Sequence, residues 1–472
     1  MTEPRDDQPA QPSRPNLLLN RFVQALACMI LSAIVYAVGL RYISLGDTIP
    51  AEYLPISILK EGDFDFDEFG WTPQNLPYFF VERKGRIIDF YPIVPGLLNV
   101  PAFAIGQWLG MDLLENRLWL SMWTCIAISS ASVGLIYLAL SWFCNDRRSA
   151  GVVTLVYALG TIVWSVTSRC LWQHGPSLLF LTGALACLMS GRAPIVRKSP
   201  RLTAGSSDNA FNIAGGVSDT WISWVALSGL FLGMAVWNRP TNVLFAFPLA
   251  VYVTIYHRKA IPLFLLAAAI PAVCMTWYAT EYWGEFWSLG QGHRPGMAHG
   301  GHAIAGFSGA FWPAMMGHLF SPARGIFIFS PVLSLGLLYL PRAVLPKRSH
   351  PILPFVVVGV MADLCLYSKW TVWWGGHSFS YRMIIETVPG LMLLLAGAWE
   401  TIIARRWWLQ ALFWPMLGWS IFCHYLGAFY YPDTAWNYQP VNVDYATERL
   451  WNVKDSELMR DFHAMQRDME ER

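Results

Sequence analysis

Hydrophobic residues run along this chain in long blocks, broken by short polar stretches. The blocks are too long for strands. A transmembrane helix needs about 20 mainly apolar residues, and runs of that order recur near 22–42, 117–143, 150–168, 175–191, 221–237, 241–256, 261–281, 326–341, 352–369, 383–403 and 408–428. The pattern predicts an all-α polytopic membrane protein with about 11 transmembrane helices. One more apolar stretch, 92–110, "PIVPGLLNVPAFAIGQWLG", is cut by prolines and glycines. It reads as a juxtamembrane or re-entrant element, and charge supports that. With Arg5, Arg14 and Arg21 in the cytoplasm and 92–110 not crossing, "CNDRRSA", "GRAPIVRKSPR", "YHRKA", "PKRSH" and "ARRWW" all face inward, as the positive-inside rule requires. If 92–110 crosses, all of them face outward.

This layout divides the chain into a disordered cytoplasmic N-terminus (1–20), a membrane domain (21–430) and an outer-face C-terminal tail (431–472). Within the membrane domain lie a first outer loop (43–116), a Ser-, Gly- and Asn-rich cytoplasmic loop (192–220) and a long outer loop (282–325). The stretch 455–472 reads as a solvated, charged helix. No repeat of the inverted-repeat transporter kind is visible.

Composition agrees. The chain is 55% hydrophobic and only 14% charged, against about 25% charged in soluble proteins. The 24 Trp suit interfacial belts, or the stacking of sugar rings. A net charge of +2 points to membrane lipids and not to nucleic acid as the surroundings. The eight scattered Cys contain no CxxC pair and read as buried thiols.

Candidate chemistry begins at "SLGDTIPAEYLP", residues 44–55, just past the first apolar run. Pro50 opens a helix that runs to about Glu61 and stops at Gly62. Leu54 and Ile58 form its stripe for the membrane surface. Asp47 or Thr48 can cap this helix, although a capping box is not spelled out because Ile49 stands three residues before Glu52. The functional reading has Asp47 project into an outer cavity and take a proton from an acceptor hydroxyl. Glu52 supports it from about one turn away. Next, in "GDFDFDEF", Asp63, Asp65 and Asp67 fall on one side of an extended strand. They form either a solvated edge or a site for a divalent cation. "YFFVERKGRIIDFYP" reads as a hairpin turning at Lys84-Gly85.

Cations and aromatics gather in the other outer turns. They are Arg169, Trp172, Gln173 and His174; Asn238 and Arg239; Arg324; and Trp374, His377, Tyr381 and Arg382. Each alone can be an interfacial residue. Together the guanidiniums suit an anionic lipid phosphate, with Trp172 and Trp374 flanking a sugar. His293, His299 and His302 lie in a Gly-rich run that fixes no metal geometry, so the long loop reads as a lid. Asp363 and Glu386, inside apolar runs, must face a cavity or a partner.

On these residues the chain resembles the GT-C superfamily of integral-membrane glycosyltransferases, the type related to protein mannosyltransferases and to the lipid A aminoarabinose transferase. The resemblance spans roughly residues 20–430. It rests on the acid of "GD" after the first span, the large first outer loop, the many-span layout, and the pieces "RPTN", "SPARGIFIFSP" and "WWGGHSFSYR". It implies transfer of a hexosyl or pentosyl group from a polyprenyl-phosphate-linked donor to a glycan, lipid or protein acceptor, on the outer face of a bacterial inner membrane. It also implies that Asp47 is the general base of an inverting transfer. Arg324 and Arg382 would hold the lipid phosphate, with Arg239, His174 and Tyr381 nearby. Several members place Glu directly after the Asp. Here Thr48 follows, which leaves Glu52 as the second acid. The rival class is a polytopic transporter or lipid-linked-glycan flippase, with Asp363 and Glu386 as coupling groups. It leaves the acids of the first loop unexplained.

Overall fold

The computed structural model describes residues 14–72, 74–190, 220–286, 306–345 and 349–471. Residues 1–13, 191–219 and the three histidines His293, His299 and His302 lie outside the described residues.

Helix α1 (Arg14–Ala37) leads into a first long loop that carries α2 (Ile49–Lys60), a hairpin of β1 (Phe80–Arg83) and β2 (Arg86–Asp89), and α3 (Val94–Trp108). The helical body follows with α4 (Arg117–Phe143), α5 (Arg147–Leu159), α6 (His174–Ser190), α7 (Thr220–Asn238), α8 (Val243–Tyr256) and α9 (Ile261–Tyr278). Then come α10 (Phe311–Phe320), α11 (Ile326–Phe329), α12 (Leu340–Ala343), α13 (Leu353–Tyr367), α14 (Val388–Thr401), α15 (Trp407–Phe429) and α16 (Glu457–Glu470).

The apolar runs coincide with helices, with two breaks. The run 150–168 ends as regular helix at Leu159 and continues through a π turn, Val163–Thr167. The run 326–341 divides into α11, a 3-10 stretch Pro331–Tyr339 and α12, because Pro331 offers no amide to an α-helical ladder. The segments Leu19–Ala37, Arg117–Phe143, Trp221–Asn238, Arg258–Trp283 and Arg382–Arg405 are long and apolar enough to cross a bilayer. His174–Ser190, Pro240–Tyr256 and Leu353–Tyr367 are apolar but shorter. Hydropathy alone predicted more full-length spans than this.

The helices differ in what they face. α14 and α4 are largely enclosed, whereas α1 and α9 turn most of their apolar surface outward. Leu26, Leu31 and Ile34 on α1 and Leu265, Leu266 and Val273 on α9 are exposed. Such a surface is poorly suited to water but matches lipid tails. α7 and α9 pack closely through Gly229 and Gly233. A Cβ there would stand 2.2 Å from the Phe264 carbonyl oxygen and 2.9 Å from that of Ala268. This is the small-residue spacing that lets membrane helices approach.

α3 lies along α2 and against α4. The Asn99 amide donates to the Ala51 carbonyl and to Ser121 Oγ. The chain enters α3 beside Tyr91, which bonds Asp47, and leaves it towards Arg117, which sits 4.0 Å from Glu52. The residues on either side of α3 thus both meet the α2 segment, at Asp47 and at Glu52. α2 spans the expected residues, but its apolar stripe packs on protein: Leu54 is buried against Gly96 of α3. The hairpin turns at Lys84-Gly85, both with positive φ, the geometry a two-residue turn needs. The strand expected for "GDFDFDEF" does not form. Asp67–Phe69 is a 3-10 turn, and the Asp67 carboxylate instead accepts the Ile87 amide of β2 at 2.7 Å. α16 is solvated along most of its length, as expected, but Glu457, Leu458 and Asp461 near its start are buried.

Candidate active site

The loop bearing Asp47 is tied down on both sides. Arg169, fully buried, donates to the carbonyl of Val38 at the end of α1, and its own carbonyl accepts the Ile43 amide. Thr48 closes the next turn, with its amide donating to the Leu45 carbonyl. Asp47 stands at the tip of that turn, with its side chain 32% exposed.

Two tyrosines from the hairpin converge on it. The Tyr78 hydroxyl donates to Asp47 Oδ1 at 2.9 Å and the Tyr91 hydroxyl at 2.6 Å. The other oxygen, Oδ2, faces the Arg382 guanidinium at 3.6 Å. Arg382 precedes α14. Its guanidinium lies flat over the Trp172 ring, 4.1 Å from the centroid, and donates to the Gly375 carbonyl at 2.5 Å. The stacking is a cation–π contact in a shielded place. The last turns before α6 and α14 and the exit of α1 thus meet at one end of the helical body.

Capping does not account for Asp47. Thr48 holds the N-cap position of α2 without a side-chain cap bond. The Asp47 oxygens are committed to the tyrosines and Arg382. Glu52 points elsewhere. It is buried and accepts the hydroxyls of Tyr42, Ser44 and Thr48, each at 2.8 Å. Burial pushes its carboxyl up from the ordinary value, and the three hydroxyls and Arg117 pull it back. Its visible work is to fasten α2 to the preceding loop.

The remaining sequence-predicted residues fall into three settings. His174 and Arg239 are buried with Glu386, whose carboxylate meets His174 Nδ1 at 3.0 Å and Arg239 at 2.5 Å. Arg239 also lies over the Tyr367 ring, and Asp363 is buried close by. Tyr381 is a core residue: its hydroxyl accepts the Ile162 amide and pairs with Ser330, which in turn meets His424. Arg324 is fully buried. It donates to the carbonyls of Trp374, Ala323 and Gly376, to Asn437 and to Glu457. Arg324 and Arg382 therefore grip the same turn, Trp374–Gly376, from two sides. Gly375 and Gly376 both have positive φ, which explains a Gly-Gly pair between an arginine-bound Trp and His377. The Trp374 indole N–H donates to Asp444 at 2.7 Å.

Sequence reasoning missed Tyr78, Tyr91 and Asp89. Asp89 ends β2, is buried, and accepts the Tyr91 amide. Burial drives its carboxyl well above the usual range, and the nearby Asp47 charge adds to that. An acid closing the apolar strand "RIID" was the available signal. Nothing distinguishes the two tyrosines among the 19 in the chain. No three acidic, His or Cys side chains are grouped as a metal site would need, among the described residues.

No protein-family model matches the chain, and no curated protein sequence matches it. Solved structures of the oligosaccharyltransferase of Archaeoglobus fulgidus are similar. One, tethered to an acceptor peptide, aligns with TM-score 0.47 and 13% identity over 91% of this chain and 59% of that one. A second, in complex with an inhibitory peptide and a dolichol-phosphate, gives TM-score 0.46 and 12% identity over 91% and 60%. The apo form gives TM-score 0.45 and 12% identity over 91% and 60%. The chain spans about 60% of the length of these archaeal proteins.

Proposed function

We propose that this protein is a membrane glycosyltransferase that moves a sugar from a polyprenyl-phosphate donor to an acceptor hydroxyl, at the outer face of a bacterial inner membrane. The reading is carried by the arrangement around Asp47: a partly open carboxylate, oriented by two tyrosine hydroxyls, opposite a guanidinium at the exit of the first membrane helix. Asp47 takes the proton of the acceptor hydroxyl as its oxygen bonds to the anomeric carbon. The bond from that carbon to the phosphate oxygen breaks, and its electrons leave with the lipid phosphate. Arg382 meets the charge that develops there, held in place by Trp172 and the Gly375 carbonyl. In this proposal Arg324 positions the turn that holds Arg382, and His174 and Arg239 brace the floor through Glu386.

The test is to incubate the purified protein with a panel of polyprenyl-phosphate sugars and follow release of polyprenyl phosphate. Release with at least one donor is expected. The second reading, a transporter or flippase, draws on the buried His174–Arg239–Glu386 cluster beside Asp363. It gains if no donor is consumed while a lipid-linked glycan changes leaflet in proteoliposomes.

Gly46→Ala tests the tyrosine arrangement. A Cβ at Gly46 would sit 2.0 Å from the Tyr78 hydroxyl oxygen, so the ring must swing away from Asp47. The backbone can stay, because the obstacle is the end of a side chain. We expect turnover to fall roughly 10- to 100-fold with an unchanged unfolding temperature. Wild-type turnover in this variant would show that the Tyr78 bond contributes nothing to positioning.

A further inference from the structure

Beyond the Asp47 site lies a cleft of about 380 Å³ walled by Trp370, Trp373, Trp374 and Trp451, with Thr447 and Glu448 on its rim. We infer that this cleft holds the acceptor as a glycan, stacking its pyranose rings. The inference rests on the transferase reading and names the acceptor class for it.

Three observations support it. The first is the lining. A pyranose has an apolar C–H face and a rim of hydroxyls, so its site needs flat aromatic surfaces beside a few polar groups. Here four indoles converge, three from the 370–374 segment and one from the Thr447–Trp451 turn, with Trp373 and Trp374 edge to face at 6.1 Å. Thr447 and Glu448 supply a hydroxyl and a carboxylate. An acyl chain would have no use for that carboxylate. The volume lies within the range of small-ligand sites, about 300–1,000 Å³.

The second is rigidity. The Trp374 indole is fixed by Asp444. The Thr447–Trp451 turn is pinned by Ser321 Oγ, which donates to the Leu450 carbonyl at 2.6 Å. Ala323, Trp436, Val443 and Leu450 form a small buried core beneath it. These bonds and this packing hold the walls in place, which lowers the ordering cost of binding.

The third is position. The Trp374 carbonyl is held by Arg324, and the next carbonyl, of Gly375, is held by Arg382. One wall of the cleft is thus a single residue from the turn that sets the cation facing Asp47. The cleft is thus coupled through one backbone turn to the cation that faces Asp47.

The competing use of these tryptophans is anchorage in the membrane interface, and the experiment separates the two. The full-length protein in detergent is titrated with neutral oligosaccharides of two to four hexoses, and with sorbitol as control, while its tryptophan emission is followed. Trp451 is 46% exposed, so Trp451→Ala does not endanger folding. Saturable binding of at least one oligosaccharide is expected. It should weaken at least tenfold in Trp451→Ala, and measurably in Glu448→Gln. No saturable binding by any oligosaccharide overturns the inference. So does binding that Trp451→Ala leaves intact while reducing partition into liposomes. Donor turnover is measured in parallel. Turnover without oligosaccharide binding sinks the cleft and keeps the transferase. Binding without turnover of any donor keeps a carbohydrate cleft and sinks the transferase.

Discussion

On the proposed function, Asp47→Asn should leave a folded protein whose sugar transfer is reduced by about 10²–10⁴-fold. Asn has the same shape as Asp and keeps an oxygen for the Tyr78 and Tyr91 hydroxyls, now held at 2.9 and 2.6 Å. What it loses is the ability to accept a proton. Donor binding should persist, because Arg382 keeps its stacking on Trp172 and its bond to Gly375. The measurement pairs polyprenyl phosphate release with donor affinity and unfolding temperature. Near-normal turnover removes Asp47 as the base. Loss of donor affinity, with the chemical step intact, would reassign Asp47 to holding Arg382. Glu52→Gln serves as a contrast. Its three hydroxyl donors fasten α2, so its effect should fall on stability more than on turnover.

Much of the helical layout is legible in sequence, since long apolar blocks and their basic breaks follow directly from what a bilayer demands. The two broken segments were less legible. At Pro331 the break is written in the sequence, but the π turn at Val163–Thr167 depends on how Tyr381 and Ser330 pack against it. The site was legible in part. Asp47 stands out because an acid at the end of an apolar run is costly without a purpose. Arg382 stands out as a cation closing the turn "WWGGHSFSYR". Arg324 has the same outward signal, an arginine in an apolar turn, yet the structure fills its donors with Trp374, Gly376, Asn437 and Glu457. Sequence shows that a cation must be satisfied but not by what. The partner that satisfies it lies more than 100 residues further on, in a helix whose charges suggested solvent.

That buried partner makes the C-terminal helix part of the site's support. Arg324→Ala should destabilise the protein by on the order of 3–5 kcal/mol. It leaves the carbonyls of Trp374 and Gly376 and the Glu457 carboxylate without their donor, and frees the turn that Arg382 grips. Glu457→Gln should cost far less, because four of the five Arg324 acceptors are neutral groups that remain. The two variants also differ with pH. Burial pushes the Glu457 carboxyl up to about 7, against the pull of Arg324 and its other hydrogen bonds. One turn along α16, burial raises Asp461 well above its usual range, and the Glu457 charge adds to the shift. Glu457 therefore holds more of its proton in the folded state than in the unfolded chain between its ordinary value of 4.5 and about 7. The extra stability is complete below that window and is lost as pH rises through it, by roughly 3 kcal/mol from Glu457. Above the window it is flat. In detergent at pH 5, 6, 7 and 8, the unfolding temperature of the wild type should fall relative to that of Glu457→Gln as pH rises to 7. A wild type whose difference from Glu457→Gln does not change with pH would mean that Glu457 is held as a charged partner of Arg324 throughout. Arg324→Ala would then have to cost more than about 5 kcal/mol, because it would strand a full buried charge.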